Sequence, residues 1–134
     1  MDQEVRAYLQ KARLALKDAD LLAAEGSPEA TVNRAYYAMF YAATAMHIAE
    51  GRRFKKHASL IGQFNKVFVH QGNTDSKFYQ FLQTAFDLRG VADYGAESAT
   101  SVSRKQAQEM VRNAYEFVAM AEQFLKGAGG KVER

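Results

Sequence analysis

The chain contains 134 residues, of which 48% are hydrophobic and 25% are charged, and its formal net charge is +3 at pH 7. This length suits one domain with a sizeable core, and the composition is typical of a soluble globular protein. The absence of cysteine excludes disulfide bonds, thiolate metal sites and a cysteine nucleophile. The small positive charge is compatible with a polyanionic partner but does not identify one.

No segment of the sequence has the pattern of a membrane or secretory segment. The first residues, M-D-Q-E-V-R, lack the basic and then apolar order of a secretory signal. The longest apolar run, residues 35–49, is too short to span a bilayer and contains His47. We therefore predict a cytoplasmic protein that makes no membrane contact.

The first two predicted helices form an antiparallel pair. Residues 2–25 place apolar side chains at intervals of three and four, which predicts an amphipathic helix. Its apolar stripe consists of Val5, Tyr8, Leu9, Ala12, Leu16, Ala19 and Ala23. The short turn E-G-S-P leads directly into the second helix, so we expect the two helices to pack side by side.

The second predicted helix, residues 31–49, is apolar on nearly every side and is therefore expected at the centre of the fold. Ser27 can cap its first amides, and Gly51 can end it. Asn33 and Arg34 are the polar exceptions on this helix. Burying such side chains is costly unless they find partners, so we expect partners for both.

Three more helices complete the predicted bundle. The third covers residues 58–71, the fourth starts at 74–75, and the last opens at a capping box formed by Ser103 and Gln106. Residues 95–101, between the fourth and last helices, are small and polar, which predicts an exposed and mobile linker.

The predicted fold is therefore all-α, because no strand pattern and no internal repeat is present. We expect an up-and-down antiparallel helical bundle of five helices, with a four-helix core plus one short helix. Residues 1–126 form this single domain in our prediction, and residues 127–134 form a flexible C-terminal tail.

Arg89 and Asp93 are the first candidate site residues. They are four residues apart, so on a helix they share a face and can form an ion pair. Asp93 would lie near the negative end of the helix, and Gly90 weakens the same turn. Local conflicts of this kind concentrate at functional sites. The alternative is an ion pair that only closes the end of the helix.

Arg34 is the second candidate, because a cation on so apolar a helix needs a carboxylate or a bound anion. Asp87 and Asp93 are the internal carboxylates that we expect as its partners. The alternative is that Arg34 contacts a ligand.

The connection after the second helix, G-R-R-F-K-K-H, carries Arg52, Arg53, Lys55, Lys56 and His57. Such a cluster can contact phosphates, as in nucleic-acid-binding proteins, or it can be a solvated loop. His57 stands at the start of the third helix, where it could cap the helix, bind an anion or titrate.

Several well-known sites are excluded by their missing motifs. The sequence has no Glu-x-x-His pair, no phosphate-binding glycine loop, no G-x-S-x-G and no zinc pattern. We therefore predict no metal and no cofactor.

Four segments together resemble the HEPN domain (higher eukaryotes and prokaryotes nucleotide-binding). They are N-R-A-Y-Y-A-M-F-Y-A-A in the second helix, K-K-H-A-S-L-I after it, F-x-L-R-x-x-A-D-Y in the fourth helix, and the amphipathic last helix. The resemblance covers residues 5–125 and is closest to the small, stand-alone prokaryotic members.

This resemblance implies an up-and-down helical bundle that forms a homodimer. It also implies an operon partner, a minimal nucleotidyltransferase, with which such proteins form toxin–antitoxin pairs. Many members resemble metal-independent ribonucleases whose motif is Arg, four to six residues, and then His, in a cleft at the dimer interface.

The present chain departs from that motif at one decisive position. The motif arginine corresponds to Arg89, but Tyr94 occupies the first place where the histidine could stand. A tyrosine with a pKa near ~10 is a much poorer base near neutral pH than a histidine. The ribonuclease motif is thus degenerate, and the catalytic candidates are Arg89, Tyr94 and His57. In some family pairs a tyrosine near this motif accepts adenylyl groups, which makes Tyr94 a candidate acceptor.

The resulting prediction is a dimeric HEPN-like protein that binds a nucleotide or RNA phosphate and acts with a nucleotidyltransferase. Arg89 would contact phosphate, Asp93 would orient Arg89, and Tyr94 would stack or donate a hydrogen bond. Arg34 and His57 are further candidates for phosphate binding. The alternatives are a ribonuclease toxin with a displaced base and a non-catalytic structural adaptor.

Overall fold

All regular structure in the described part of the chain is helical. The computed structural model describes residues 2–94 and 102–132, with side chains for 2–90 and 102–127. Its helices are α1 (Gln3–Glu25), α2 (Pro28–Ala49), α3 (His57–Phe64), α4 (Ser76–Tyr94) and α5 (Arg104–Val132), and π-helical turns at Asn65–His70 follow α3 directly. No strand occurs in these residues, so the predicted all-α class with five helices is confirmed.

The contacts of α5 with α1 establish that these two helices are antiparallel. Arg104, at the start of α5, donates to the carbonyl of Ala23 near the end of α1, at 3.3 Å. Further along α5, Glu122 pairs with Arg13, which lies nearer the start of α1, at 2.9 Å. Since only a two-residue turn separates α1 from α2, α2 also runs antiparallel to α1.

The fourth helix runs antiparallel to α5 by the same reasoning. Lys77, in the first turn of α4, pairs with Glu116 in the middle of α5 at 2.8 Å. Near the other end of α4, Leu88 lies beside Gln106 at the start of α5. The long helices therefore alternate in direction, and the predicted up-and-down order is confirmed.

The second helix is the centre of the bundle and contacts each of the other four helices. Half of its 22 residues are buried. They are Thr31, Val32, Ala35, Tyr36, Ala38, Met39, Ala42, Ala43, Ala45, Met46 and His47. Burial of each large apolar side chain contributes about 1.5–3 kcal/mol to stability, so this helix supplies much of the hydrophobic stabilisation.

Both ends of α2 are formed as predicted. The hydroxyl of Ser27 accepts a hydrogen bond from the amide of Ala30 at 3.1 Å, and Pro28 is the first helical residue. After the helix, Gly51 has a φ of +80°, a left-handed conformation that glycine adopts without steric cost.

The third helix differs from the prediction in its second half. The sequence predicted one α-helix over residues 58–71, but after Phe64 the chain continues in π-helical turns, with Gln71 donating to the carbonyl of Lys66. Phe64 and Phe68 both lie in the core, with ring centroids 5.1 Å apart.

The last helix begins at the predicted capping box. The amide of Gln106 donates to the Ser103 hydroxyl at 3.0 Å, and the Gln106 side chain accepts from the Ser103 amide at 2.9 Å. The helix continues to Val132, beyond residue 126, where we placed the end of the domain. The predicted linker at 95–101 lies outside the described residues.

His47 is a buried polar group within the core and is only 1% exposed. Its Nε2–H donates to the carbonyl of Leu60 and its Nδ1 accepts from Arg52 Nε, both at 3.1 Å. These two bonds require a neutral imidazole with its proton on Nε2. Burial lowers the pKa of His47 to about 4, against the opposing effect of the Leu60 hydrogen bond.

We expect the low pKa of His47 to make the protein less stable in mild acid. The unfolded chain binds a proton at His47 below a pKa of ~6.5, whereas the folded chain resists protonation until about pH 4. The free energy of unfolding should therefore fall from pH 7 to pH 5, by about 2 kcal/mol from this residue alone. Urea denaturation at both pH values measures the change.

Between pH 7 and pH 5, the free energy of unfolding of His47→Gln should fall by less than that of the wild-type protein, whatever the stability of the variant at pH 7. His70→Gln, which removes an exposed imidazole, controls for the substitution itself. An equal loss of stability in His47→Gln and wild type would contradict the assignment.

Candidate functional site

Arg89 from α4 lies against two tyrosine rings of the central helix. Its guanidinium carbon is 5.3 Å from the ring centroid of Tyr36 and 5.6 Å from that of Tyr37. Both distances are within the range of cation–π attraction. The apolar face of α4 packs on α2 through contacts such as Phe86 with Tyr36, at 5.9 Å, and so carries Arg89 to this position.

His57, the first residue of α3, reaches the same tyrosine from another side. A hydrogen bond of 2.8 Å joins His57 Nδ1 to the hydroxyl of Tyr36. The imidazole also stacks on Phe40, with ring centroids 4.0 Å apart and planes inclined by 26°. Tyr36 thus contacts both Arg89 and His57, which lie 32 residues apart in the sequence.

The protonation states of these groups follow from burial and from the charge of Arg89. Tyr36 is fully buried, and burial raises the pKa of its hydroxyl although Arg89 acts in the opposite direction. Burial, and then the positive charge of Arg89, lower the pKa of His57. Near neutral pH the site therefore contains a protonated tyrosine, a neutral histidine and a cationic arginine.

Arg34 adds a second guanidinium group to the site. Its Nε and Nη2 donate to the Oδ1 atom of Asn33 at 3.1 and 3.0 Å, and its guanidinium carbon lies 5.1 Å from the ring centroid of Tyr37. Two guanidinium groups, those of Arg34 and Arg89, therefore lie against the ring of Tyr37. Within the described residues, no carboxylate forms an ion pair with Arg34.

The prediction that Asp87 pairs with Arg34 was wrong. That carboxylate accepts a hydrogen bond from Gln83 at 2.9 Å, one turn away on its own helix. Arg34 donates instead to the side-chain oxygen of Asn33, the residue before it on α2. The pairing with Asp93 involves a side chain outside the described residues.

The fold therefore brings together three of the five predicted binding residues: Arg89, Arg34 and His57. The side chains of Asp93 and Tyr94, at the end of α4, lie outside those that the structure describes. The sequence did not single out Tyr36 and Tyr37, because their spacing also fits an apolar stripe. Their position, two and three residues after Arg34, was the available signal.

The basic connection before α3 is only partly a solvated loop. Arg52 pairs with Glu50 at 2.7 Å, and Nη1 and Nη2 of Arg53 both contact the carboxylate of Glu4. Lys55 is exposed, as is the neighbouring Lys56. The two arginines therefore connect this segment to the ends of α1 and α2.

None of the five helices, in the part of the chain that is described, has the length and apolar character needed to cross a bilayer. Within the same residues, no three histidine, aspartate or glutamate side chains converge in a way that could hold a metal ion.

We expect removal of the Arg89 charge to raise the pKa of His57. In Arg89→Met the imidazole keeps its burial but loses a nearby cation, so its pKa should rise and still remain below the usual histidine value. NMR titration of the histidine ring protons measures this shift, with His57→Gln used to assign the signal. In Arg13→Met, whose guanidinium pairs with Glu122 instead, the pKa of His57 should not change. An identical titration in wild type and Arg89→Met would contradict the electrostatic coupling.

Comparison with known proteins gives relatives that this chain matches over most of their length. A UPF0332 protein of Thermotoga maritima is 30% identical over 122 residues, which cover 91% of this chain and 91% of that protein. A UPF0332 protein of Archaeoglobus fulgidus is 34% identical over 118 residues, which cover 88% of this chain and 92% of that protein. A protein of Methanocaldococcus jannaschii named "Putative toxin MJ0605" is 29% identical over 124 residues, which cover 92% of this chain and 90% of that protein.

The family model of the HEPN domain matches residues 5–124, which is nearly the range of the resemblance noted in the sequence. The match includes Arg34, His57 and Arg89, and the helical bundle described above agrees with it. The chain therefore belongs to the HEPN domain family.

Proposed function

We propose that this protein binds the phosphate of a nucleotide or of RNA at the cluster of Arg89, Arg34, Tyr37 and His57. The observation that carries the proposal is that two guanidinium groups lie against the same half-buried tyrosine ring, at 5.1 and 5.6 Å. Charge and aromatic surface are thus combined at one place.

The chemistry of these side chains suits a phosphate next to a base. Guanidinium groups donate paired hydrogen bonds that match phosphate oxygens, and they remain charged at all physiological pH values. An aromatic ring offers a face on which any base can stack. Arg89, Arg34, Tyr37 and His57 are all half-buried rather than enclosed, so each retains surface for a ligand.

The comparisons support a toxin role of the HEPN type. Two relatives from Methanocaldococcus jannaschii carry the word toxin in their names. We extend this to a toxin–antitoxin pair in which a minimal nucleotidyltransferase is the partner and the present chain is a homodimer. Tyr94 is our proposed acceptor of an adenylyl group from that partner, and Asp93 is proposed to orient Arg89.

Binding of a single-stranded RNA should depend on Arg89. We expect Arg89→Met to weaken binding of a fluorescein-labelled octanucleotide about tenfold or more, because a charge-assisted contact to phosphate is lost. Fluorescence anisotropy at several salt concentrations measures the Kd. The slope of log K against log salt should also decrease by about 0.7, the amount for one phosphate contact on a single strand.

Arg13→Met is the matched control, because it removes the same charge from a guanidinium that pairs with Glu122. Equal weakening by both substitutions would indicate a general charge effect and would contradict a site at Arg89. If neither wild type nor variants bind RNA or nucleotide, the adaptor hypothesis replaces the binding proposal.

A metal-independent ribonuclease is the second candidate function, favoured by the hydrogen bond between His57 and Tyr36. In the tautomer with a proton on Nδ1, His57 donates to the Tyr36 hydroxyl and presents the lone pair of Nε2. That nitrogen could take the proton of a ribose 2′-hydroxyl while the 2′-oxygen bonds to phosphorus and the bond to the 5′-oxygen breaks. The departing 5′-oxygen takes a proton from water, and Arg89 would stabilise the charge on phosphorus.

If this second function is correct, the protein cleaves RNA in the presence of EDTA, and His57→Gln lowers the rate about a hundredfold or more. The rate should fall as the pH drops through the lowered pKa of His57, because the protonated imidazole cannot act as a base. Gel analysis of a labelled RNA measures the cleavage, with His70→Gln as the control. Cleavage that persists unchanged in His57→Gln would eliminate His57 as the base.

A further inference from the structure

A separate cavity is lined by Phe40, the ring on which His57 stacks. It has a volume of about 220 Å³ and is bounded by α1, α2, the connection that follows α2, and the start of α3. Its lining includes Tyr8 and Lys11 from α1, Tyr41 from α2, and Arg53 from the connection. Phe40 lines this cavity and also stacks on His57, so the two sites share one aromatic ring as a wall.

The lining of this cavity combines aromatic surface with positive charge. The ammonium of Lys11 lies 5.2 Å from the ring centroid of Tyr8 and 5.6 Å from that of Tyr41. Arg52 and Arg53 add two guanidinium groups, and the residues that line the cavity include no carboxylate. His47, also in the lining, is neutral because burial lowers its pKa to about 4. An anionic ligand with an aromatic ring matches this surface.

The three lining cations differ in how firmly they are held. Arg52 and Arg53 pair with Glu50 and Glu4, which stand outside the lining and keep the two guanidinium groups in place. Lys11 is exposed, and no carboxylate of the described residues pairs with it. It is therefore the cation best placed to contact the phosphate of a ligand, with the tyrosine rings beneath it.

A row of tyrosine rings connects this cavity to the Arg89 site. The ring centroids of Tyr8 and Tyr41 are 6.2 Å apart, and those of Tyr41 and Tyr37 are 5.6 Å apart. Tyr37 is the ring that lies against Arg34 and Arg89. Rows of aromatic rings bordered by cations are the surface on which single-stranded nucleic acids stack their bases and place their phosphates.

We propose that the Lys11 cavity is a nucleotide-binding subsite, in which a base packs on Tyr8 and Tyr41 and its phosphate contacts Lys11. This inference rests on the proposed function, since it treats the cavity as a second position along the row of rings that ends at Arg89. The ligand chemistry is that of a nucleotide, supplied either by a single-stranded RNA or as the free molecule.

The test compares two probes, AMP and a single-stranded octaadenylate, with wild type and variants. Lys11→Met removes the ammonium and keeps the carbon stem, and Tyr41→Leu removes the ring surface. Each should weaken octaadenylate binding about tenfold, the scale of losing a stacked base or a phosphate contact. Lys17→Met, on the same helix but outside the cavity lining, should leave the Kd unchanged.

The two probes distinguish the sources of the nucleotide. Weakening of octaadenylate alone assigns the subsite to an RNA strand, and weakening of AMP as well assigns it to a free nucleotide. If Lys11→Met and Tyr41→Leu bind both probes with the Kd of the wild-type protein, the proposal is overturned.

Failure of the subsite is distinguishable from failure of the proposed function. If Arg89→Met weakens octaadenylate binding but Lys11→Met and Tyr41→Leu do not, the Arg89 site stands and the subsite is wrong. If the cavity variants weaken binding and Arg89→Met does not, the subsite stands without the Arg89 site.

Discussion

The hydrogen bond between the Tyr36 hydroxyl and His57 Nδ1, at 2.8 Å, is the interaction on which the candidate site depends. Tyr36 is fully buried on α2, so an unpaired hydroxyl there would lower stability, and His57 is the group that satisfies it. The same bond fixes the first residue of α3 against the central helix. Arg89 then lies over the Tyr36 ring from α4. One buried tyrosine thus connects three helices and brings a neutral base and a cation near each other.

Much of the fold could be predicted from the sequence because local rules and burial agree there. The caps at Ser27 and Ser103 are satisfied within three residues, and the apolar character of α2 alone places it at the centre. The π-helical turns after Phe64 could not be predicted, because the spacing of Phe64 and Phe68 fits a regular α-helix equally well. Contacts between helices have no local signature in the sequence.

The site was predictable only in part, for the same physical reason. Arg34 was recognisable as a cation on an apolar helix, Arg89 by its spacing from Asp93, and His57 by its place in a basic segment at the start of a helix. These three residues lie together in the fold. What the sequence could not provide was the group that joins them. The position of Tyr36 fits an apolar stripe, and only the fold shows that its hydroxyl reaches His57. Arg34 donates to Asn33, whereas Asp87, one of its two expected partners, bonds to Gln83.

The family motif and this structure together suggest how a base could be relocated without changing the fold. With four intervening residues after Arg89, the motif histidine would stand at position 94, at the end of α4, where this chain has Tyr94. His57 comes from the start of α3 instead, yet burial and then the charge of Arg89 lower its pKa. What phosphate chemistry requires is the proximity of a cation and a neutral imidazole, and either helix can supply the imidazole. If the protein is a ribonuclease, as our second candidate function states, Tyr94 does not by itself exclude cleavage, because the requirement applies to the position of the imidazole in space and not to its place in the sequence.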